Sequence, residues 1–225
     1  MPRRIYFIRH GETDWNQAQL FQGRTDVPLN ARGRAQAGRT ASCIREHFRL
    51  AGRPLRFAGL VSSPLSRAVE TAAIVASALG GSACGLPDDP EGIVLDGRLQ
   101  EQGYGLWEGL SRAQIEARFP GEWERRFADV RRFQASGGES MDEVRARVAA
   151  CVAELGDGVL AAGHFGTAYA LLLGYTEHAQ DIPRISQEAL YIFEDRRVLE
   201  ASARHPAGRV IASCAWSALP GASQD

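Results

Sequence analysis

The sequence predicts an α/β fold: a three-layer α/β/α sandwich with a mostly parallel central sheet and a small helical lid insertion. Three observations carry the prediction. Residues 5–8, Ile-Tyr-Phe-Ile, are β-branched or aromatic and do not alternate with polar residues, the composition of a strand buried on both faces of a parallel sheet. Residues 57–79 repeat the order of an apolar strand, a turn and a helix with a basic residue near its start. A third apolar run, residues 159–162, also ends in a glycine followed by a histidine. In open α/β sheets ligands bind where such strands stop, so the residues just past each run are the first candidates for chemistry.

At the end of the first strand stand Arg9, His10 and Gly11, the glycine leaving the backbone free to turn. A neutral imidazole can attack phosphorus and hold a phosphoryl group. A phosphate dianion repels most nucleophiles, so an adjacent arginine is needed to cancel charge and aim the group. A surface Arg-His pair at a strand end is the alternative that the local sequence leaves open. The loop from 12 to 29 is polar and glycine-containing, long enough to wrap the rim of a pocket.

Asn30 caps a helix predicted over 31–48, with Ala37, Ala41, Ile44 and Phe48 on one face. Its arginines read as a solvated face. The second strand, 57–62, runs into Ser62-Ser63-Pro64-Leu65-Ser66-Arg67. Arg67 at a helix start adds a bidentate fork to N–H groups that already favour an anion. Pairing with Glu70 is its competing role, and Glu70 is also placed to orient the guanidinium.

Glu101 lies among Leu99, Tyr104 and Trp107. An apolar neighbourhood favours the protonated acid, which suits a proton donor to a leaving alkoxide, whereas most glutamates are surface salt-bridge formers. Ser111 with Gln114 makes a capping box for a short helix ending at Pro120, and a second helical piece is expected over 122–133, with Trp123, Phe127 and Phe133 inward. Residues 96–138 form the lid insertion of a single domain spanning 1–225. Ser140 with Glu143 starts the next helix. After the third strand come Gly163 and His164, a short apolar helix over 168–173, a hairpin of 190–193 with 198–202, and a last strand over 210–214.

Composition bounds the function. The chain has 225 residues, a hydrophobic share of 44%, a charged share of 24% and a net charge of −1, which fits a globular domain and argues against a general nucleic-acid surface. Cys43, Cys84, Cys151 and Cys214 are widely spaced and read as reduced packing residues, with no metal-ligand cluster. The first residues lack a signal-peptide core and no apolar run approaches a membrane span, so a cytoplasmic location without membrane association is the expectation. His47, His178 and His205 read as surface residues.

Six blocks, RHGETDWN, FQGRTDVPLNARGRAQA, SSPLSRAVETA, LQEQGYGLWEG, GGES and GHFG, occur in the order found in the histidine phosphatase superfamily, also called phosphoglycerate-mutase-like, which the chain resembles. The resemblance implies a metal-independent phosphomonoester hydrolase working through a phosphohistidine, with no cofactor and a small phosphorylated metabolite as partner. It implies His10 as nucleophile, Arg9, Arg67 and His164 around the phosphoryl oxygens, and Glu101 as general acid. Glu108 is then structural. Asn16, Gln22, Gly23 and Thr13 line the phosphate site by the same resemblance. GGES resembles the phosphatase branch. The family has His-Gly where this chain has His164-Phe165-Gly166, which puts Phe165 at the pocket as a modifier of substrate preference. A phosphoglycerate mutase and a weakly active phospho-ligand binding module are the competing readings. Natural substrate and oligomeric state stay open.

Overall fold

The computed structural model describes residues 4–176, 182, 184–194 and 197–213. Seven strands form one sheet in the order β3-β2-β4-β1-β5-β6-β7. Strands β1 (Arg4–Arg9), β2 (Gly59–Ser62), β3 (Val94–Leu95) and β4 (Val159–Gly163) are parallel to one another. Strands β5 (Ala189–Glu194), β6 (Arg197–Ser202) and β7 (Arg209–Ser213) continue the sheet antiparallel from the other edge of β1. The parallel core is therefore where the sequence puts it, and the predicted hairpin extends it.

The unalternating β1 run is buried on both faces, as its composition requires. Ile5 and Phe7 pack with the helices α6 (Met141–Glu154) and α7 (Phe165–Leu172), while Tyr6 and Ile8 pack with α2 (Ala31–Leu50) and α3 (Ser66–Leu79). Two helical layers thus cover the sheet. The register places Arg9 opposite Gly163 and Ser62 opposite Ala162, so β1, β2 and β4 end together. His10 and His164, each the first residue after its strand, emerge at one level, with Ser63, the first after β2, one residue below them.

Short helices α1 (Asp14–Gln17), α4 (Arg112–Arg118) and α5 (Glu122–Ala128) belong to the loops above that edge. The expected caps are present: Asn30 accepts from the N–H of Gly33, and Ser111 with Gln114 and Ser140 with Glu143 form capping boxes. Helix α5 is shorter than predicted, because Asp129 accepts the N–H of Arg132 and turns the chain. Phe127 consequently stays 64% exposed rather than facing inward. Trp123 and Phe133 do pack, with Phe21, Tyr104 and Trp107, in a separate aromatic cluster that ties the insertion to the loop after β1. Helix α7 starts at Phe165, three residues earlier than predicted.

Cys43, Cys84 and Cys151 are buried free thiols; Cys214 and His178 lie outside the described residues. His205 is exposed, but His47 is buried, with Nδ1 at 3.2 Å from the carbonyl of Pro206, so its reading as a surface residue is corrected. Its place on the inner face of α2, one residue from Phe48, accounts for this. No helix among the described residues is long and apolar enough to cross a membrane.

Candidate active site

Beyond β1 the backbone of His10 and Gly11 is held against neighbouring elements. The N–H of His10 donates to Gly163 of β4 and that of Gly11 to Oγ1 of Thr71 in α3. Gly11 is required by close approach: a Cβ there would lie 2.3 Å from the carbonyl oxygen of Gly33 at the start of α2. The His10 ring is fixed by its Nδ1, 2.6 Å from the carbonyl oxygen of Gly11. A carbonyl only accepts, so Nδ1 carries the proton and Nε2 keeps a free lone pair. Burial, with Arg9 and Arg67 adding to it, holds the His10 pKa well below the ordinary histidine value. The ring is neutral at pH 7, as a nucleophile must be.

Arg67, fully buried in the first turn of α3, donates from Nη1 to the carbonyl of Thr25 (2.9 Å) and from Nη2 to that of Gly23 (2.8 Å). The loop after β1 is thereby a bracket for the guanidinium. Asp26 completes the docking by accepting from the N–H and hydroxyl of Ser66, supplying the cap that Leu65 lacks. Glu70 does not orient Arg67; its carboxylate takes Arg34 of α2 instead.

The bracket has a support of its own in residue Glu108, which follows Trp107. The Glu108 carboxylate accepts from the N–H groups of Arg24, Thr25 and Tyr104, each at 3.0 Å, and from the Thr25 hydroxyl. A Cβ on Gly23, at φ +55°, would fall 2.0 Å from Glu108 Oε1. Structural use of Glu108 is what the residues argue, and its position explains why a glutamate follows Trp107.

His164 forms the N-cap of α7 in extended conformation. Its ring centroid lies 5.1 Å from that of His10, and its Nε2 is 2.8 Å from Oγ of Ser63. Its pKa is also driven well below the ordinary value by burial, then by Arg67, His10 and Arg9. Phe165 does not push His164 away. Its ring stacks on Tyr169, one turn on, with the Arg9 guanidinium 5.5 Å from the ring centroid. Arg9 itself is anchored by Nη1 on the carbonyl of Ile185.

Glu101 is buried, and its Oε1 accepts from the N–H of Gln102 (2.9 Å) and of Gly166 in the first turn of α7 (2.8 Å). Its charge is felt favourably by both Arg9 and Arg67. The apolar shell expected around this carboxyl is corrected in part: Leu99 and Trp107 belong to packed cores, Tyr104 shares the cavity with Glu101 as expected, and two backbone N–H groups hold Oε1. GGES contributes here as well. Glu139 accepts from the N–H of Gly103 and pairs with Arg147, whose Nη2 donates to the Glu101 carbonyl at 3.1 Å.

Arg9, His10, Arg67 and Glu101 share one cavity of about 160 Å³ with Asn16, Gln22, Gly23, Tyr104 and Phe165. Gln19, Leu20 and Phe21 also line it; they lie in the polar loop, where nothing in their spacing set them apart. Asn16 serves as both turn and wall residue. Its Oδ1 accepts from Thr13 and from Gln187. Thr13 is fully buried as the cap of α1 and is not on the cavity wall. Its hydroxyl is engaged with Asn16, so it acts on the wall only through that residue.

Among the described residues, four buried side-chain atoms lack a hydrogen-bond partner: Nε of Arg9, Nε of Arg67, Nδ1 of His164 and Oε1 of Gln22. Arg9, Arg67 and Gln22 line the cavity, whereas His164 packs beside the His10 ring and is not on the cavity wall. Buried polar atoms are almost always paired, so unpartnered nitrogens on two arginines and on a histidine whose ring centroid lies 5.1 Å from that of His10 are atoms that a compact oxyanion can satisfy. No group of three or more His, Cys, Asp or Glu suited to a metal occurs among the described residues.

Fold and site together describe an α/β protein with a buried histidine and two arginines on one cavity at the carboxyl ends of its parallel strands. The chain belongs to the histidine phosphatase superfamily (branch 1), whose family model matches residues 5–192. A glucosyl-3-phosphoglycerate phosphatase of Mycobacterium tuberculosis is 36% identical over 153 residues, 68% of this chain and 60% of that protein. The structure of a mycobacterial glucosyl-3-phosphoglycerate phosphatase in complex with VO3 superposes with a TM-score of 0.68 at 30% identity, covering 84% of this chain and 92% of that one. A Salmonella choleraesuis protein named "Probable phosphoglycerate mutase GpmB" is 34% identical over 152 residues, 66% of this chain and 61% of that protein. The chain spans between 35% and 61% of the length of the curated relatives it matches.

Proposed function

We propose that the protein is a phosphomonoester hydrolase that works through a phosphohistidine on His10, with no metal in the chemical step. The observation that supports this reading is that Arg9 and Arg67, each with an unpartnered Nε, share one cavity with His10, whose Nε2 is free, while the His164 ring, with Nδ1 unpartnered, stands 5.1 Å from that of His10. Phosphoryl transfer needs a nucleophile in line and positive charge on the equatorial oxygens. Here two arginines supply the charge. In the first step the His10 Nε2 lone pair forms the N–P bond as the P–O bond to the alcohol breaks, and Glu101 gives the alkoxide its proton. In the second, Glu101 takes a proton from water, whose oxygen attacks phosphorus and releases His10 and phosphate.

Oε2 of Glu101 makes no hydrogen bond among the described residues, while Oε1 is anchored on Gly166 and Gln102, so Oε2 is the oxygen left to exchange a proton with the leaving group.

Beyond the two arginines and Glu101, the other cavity residues that meet the alcohol, Asn16, Gln19, Leu20, Phe21, Gln22, Tyr104 and Phe165, carry no charge. This supports a small metabolite; the Arg126 guanidinium, 5.4 Å from the Phe21 ring centroid and 5.7 Å from that of Tyr104, is a further cation behind that wall, so the lining does not select against a carboxylate on the alcohol portion. The similarity to a protein named as a mutase keeps phosphoglycerate interconversion as a second reading. An aryl phosphate assay followed by a panel of phosphorylated metabolites tests the first: phosphate release in the wild type and none from His10→Ala is expected. If added bisphosphoglycerate drives phosphoglycerate interconversion faster than phosphate release, the mutase reading replaces it. Binding of phosphate analogues without any turnover would leave only a binding module.

A further inference from the structure

Ser63, the first residue after β2, is fully buried, and its position is set by an N–H bond to Ala162 at 3.0 Å. Its Oγ has two neighbours within hydrogen-bond distance among the described residues. The N–H of Leu65 approaches at 3.3 Å and Nε2 of His164 at 2.8 Å. A hydroxyl has one proton to give and two lone pairs to receive. The Leu65 amide can only donate, so it occupies one lone pair.

Two arrangements of the remaining contact are then possible, and they differ in what His164 shows the cavity. If Nε2 carried the ring proton, Ser63 would accept twice and its own buried proton would have no acceptor. Nδ1, the atom without a partner, would also present a lone pair to a bound anion. If the Ser63 hydroxyl donates to Nε2 instead, every group at Ser63 is satisfied and Nδ1 carries a hydrogen. Buried polar groups strongly favour the satisfied arrangement.

We propose that Ser63 is a positioning residue that fixes His164 in the tautomer with its proton on Nδ1, so that the ring donates to the phosphoryl group. The two histidines are then set for opposite tasks by their outer bonds. Gly11 holds the proton on His10 Nδ1 and leaves Nε2 as a nucleophile; Ser63 fills His164 Nε2 and leaves Nδ1 as a donor. A fixed tautomer matters because the ring is neutral: an imidazolium would donate from either nitrogen without help. The proposal rests on the phosphohydrolase reading only for the identity of the anion.

Long-range ¹H–¹⁵N spectra of the imidazoles in the ¹⁵N-labelled full chain at neutral pH test it without turnover, with His164 assigned by the signals lost in His164→Gln. The expected result is a neutral His164 bearing its proton on Nδ1. In Ser63→Ala the ring shifts toward the Nε2–H form, and kcat for an aryl phosphate falls on the order of tenfold with little change in KM. Wild-type signals of the Nε2–H form overturn the proposal, as does a Ser63→Ala protein with both tautomer and kcat unchanged. An Nδ1–H ring in a protein that hydrolyses no phosphomonoester supports the tautomer and overturns the hydrolase reading alone.

Discussion

The carboxylate of Glu108 holds the N–H of Thr25 at 3.0 Å, and the carbonyl of the same threonine holds Nη1 of Arg67 at 2.9 Å. Glu108 is thus coupled, through the two peptide groups that flank Thr25, to a buried arginine of the cavity. Glu108→Gln replaces one acceptor oxygen by an N–H₂ that faces another donor. The expected outcome is a stability loss of about 1–3 kcal/mol, together with orthovanadate affinity weakened roughly tenfold. Chemical denaturation and vanadate inhibition measure the two; unchanged vanadate affinity would uncouple Glu108 from Arg67.

Glu101 is tied to the helix that follows His164. A Cβ on Gly166 would stand 2.3 Å from Glu101 Oε1 and only 3.3 Å from the backbone nitrogen of Gln102. Gly166→Ala therefore displaces the carboxyl, and kcat should fall by about 10- to 100-fold. The loss should grow as the leaving alcohol becomes less acidic.

The same dependence is expected, more steeply, of Glu101→Gln, since an amide cannot give up a proton. Alkyl phosphates should lose on the order of 10²- to 10⁴-fold in kcat/KM and activated aryl phosphates far less. Equal losses across a series of leaving groups would remove Glu101 from the acid role.

Burial lowers the pKa of both His10 and His164 below the value of about 6.5 that each has in an unfolded chain. The unfolded state therefore binds more protons than the folded state once pH drops below about 6.5, so stability decreases with falling pH there and is flat with respect to these groups above it. Urea unfolding between about pH 7 and 5 should show that slope in the wild type and a shallower one in His10→Asn/His164→Asn. The acid limb of kcat/KM, which reports the free enzyme, should carry no inflection near 6.5 from His10.

Much of this was legible in the sequence because it lies in local patterns. The unalternating run before Arg9 named a doubly buried strand, and the capping residues Asn30, Ser111 and Ser140 marked helix starts. The three strand ends with His10, Ser63 and His164 were in sight, but only the register of β1, β2 and β4 brings them within one residue of the same level. What escaped depends on distant partners. Helical spacing offered Glu70 as a competing partner for Arg67, yet Arg34 from α2 claims that glutamate and two carbonyls of a loop 42 and 44 positions away hold the arginine. The apolar residues flanking Glu101 in sequence were misleading for a similar reason. Leu99 and Trp107 face separate cores, whereas the carboxyl meets the N–H of Gly166, 65 positions on.

The nucleophile is the part of the account most directly open to measurement. Rapid mixing with an aryl phosphate, quenching under alkaline denaturing conditions that preserve phosphoramidates, and peptide mass analysis should find one phosphoryl group on the peptide carrying His10. It should form and decay at rates compatible with kcat and be missing from His10→Ala, which should also lose turnover by about 10³-fold or more. A phosphoryl group on another residue, or undiminished hydrolysis by His10→Ala, would contradict the account.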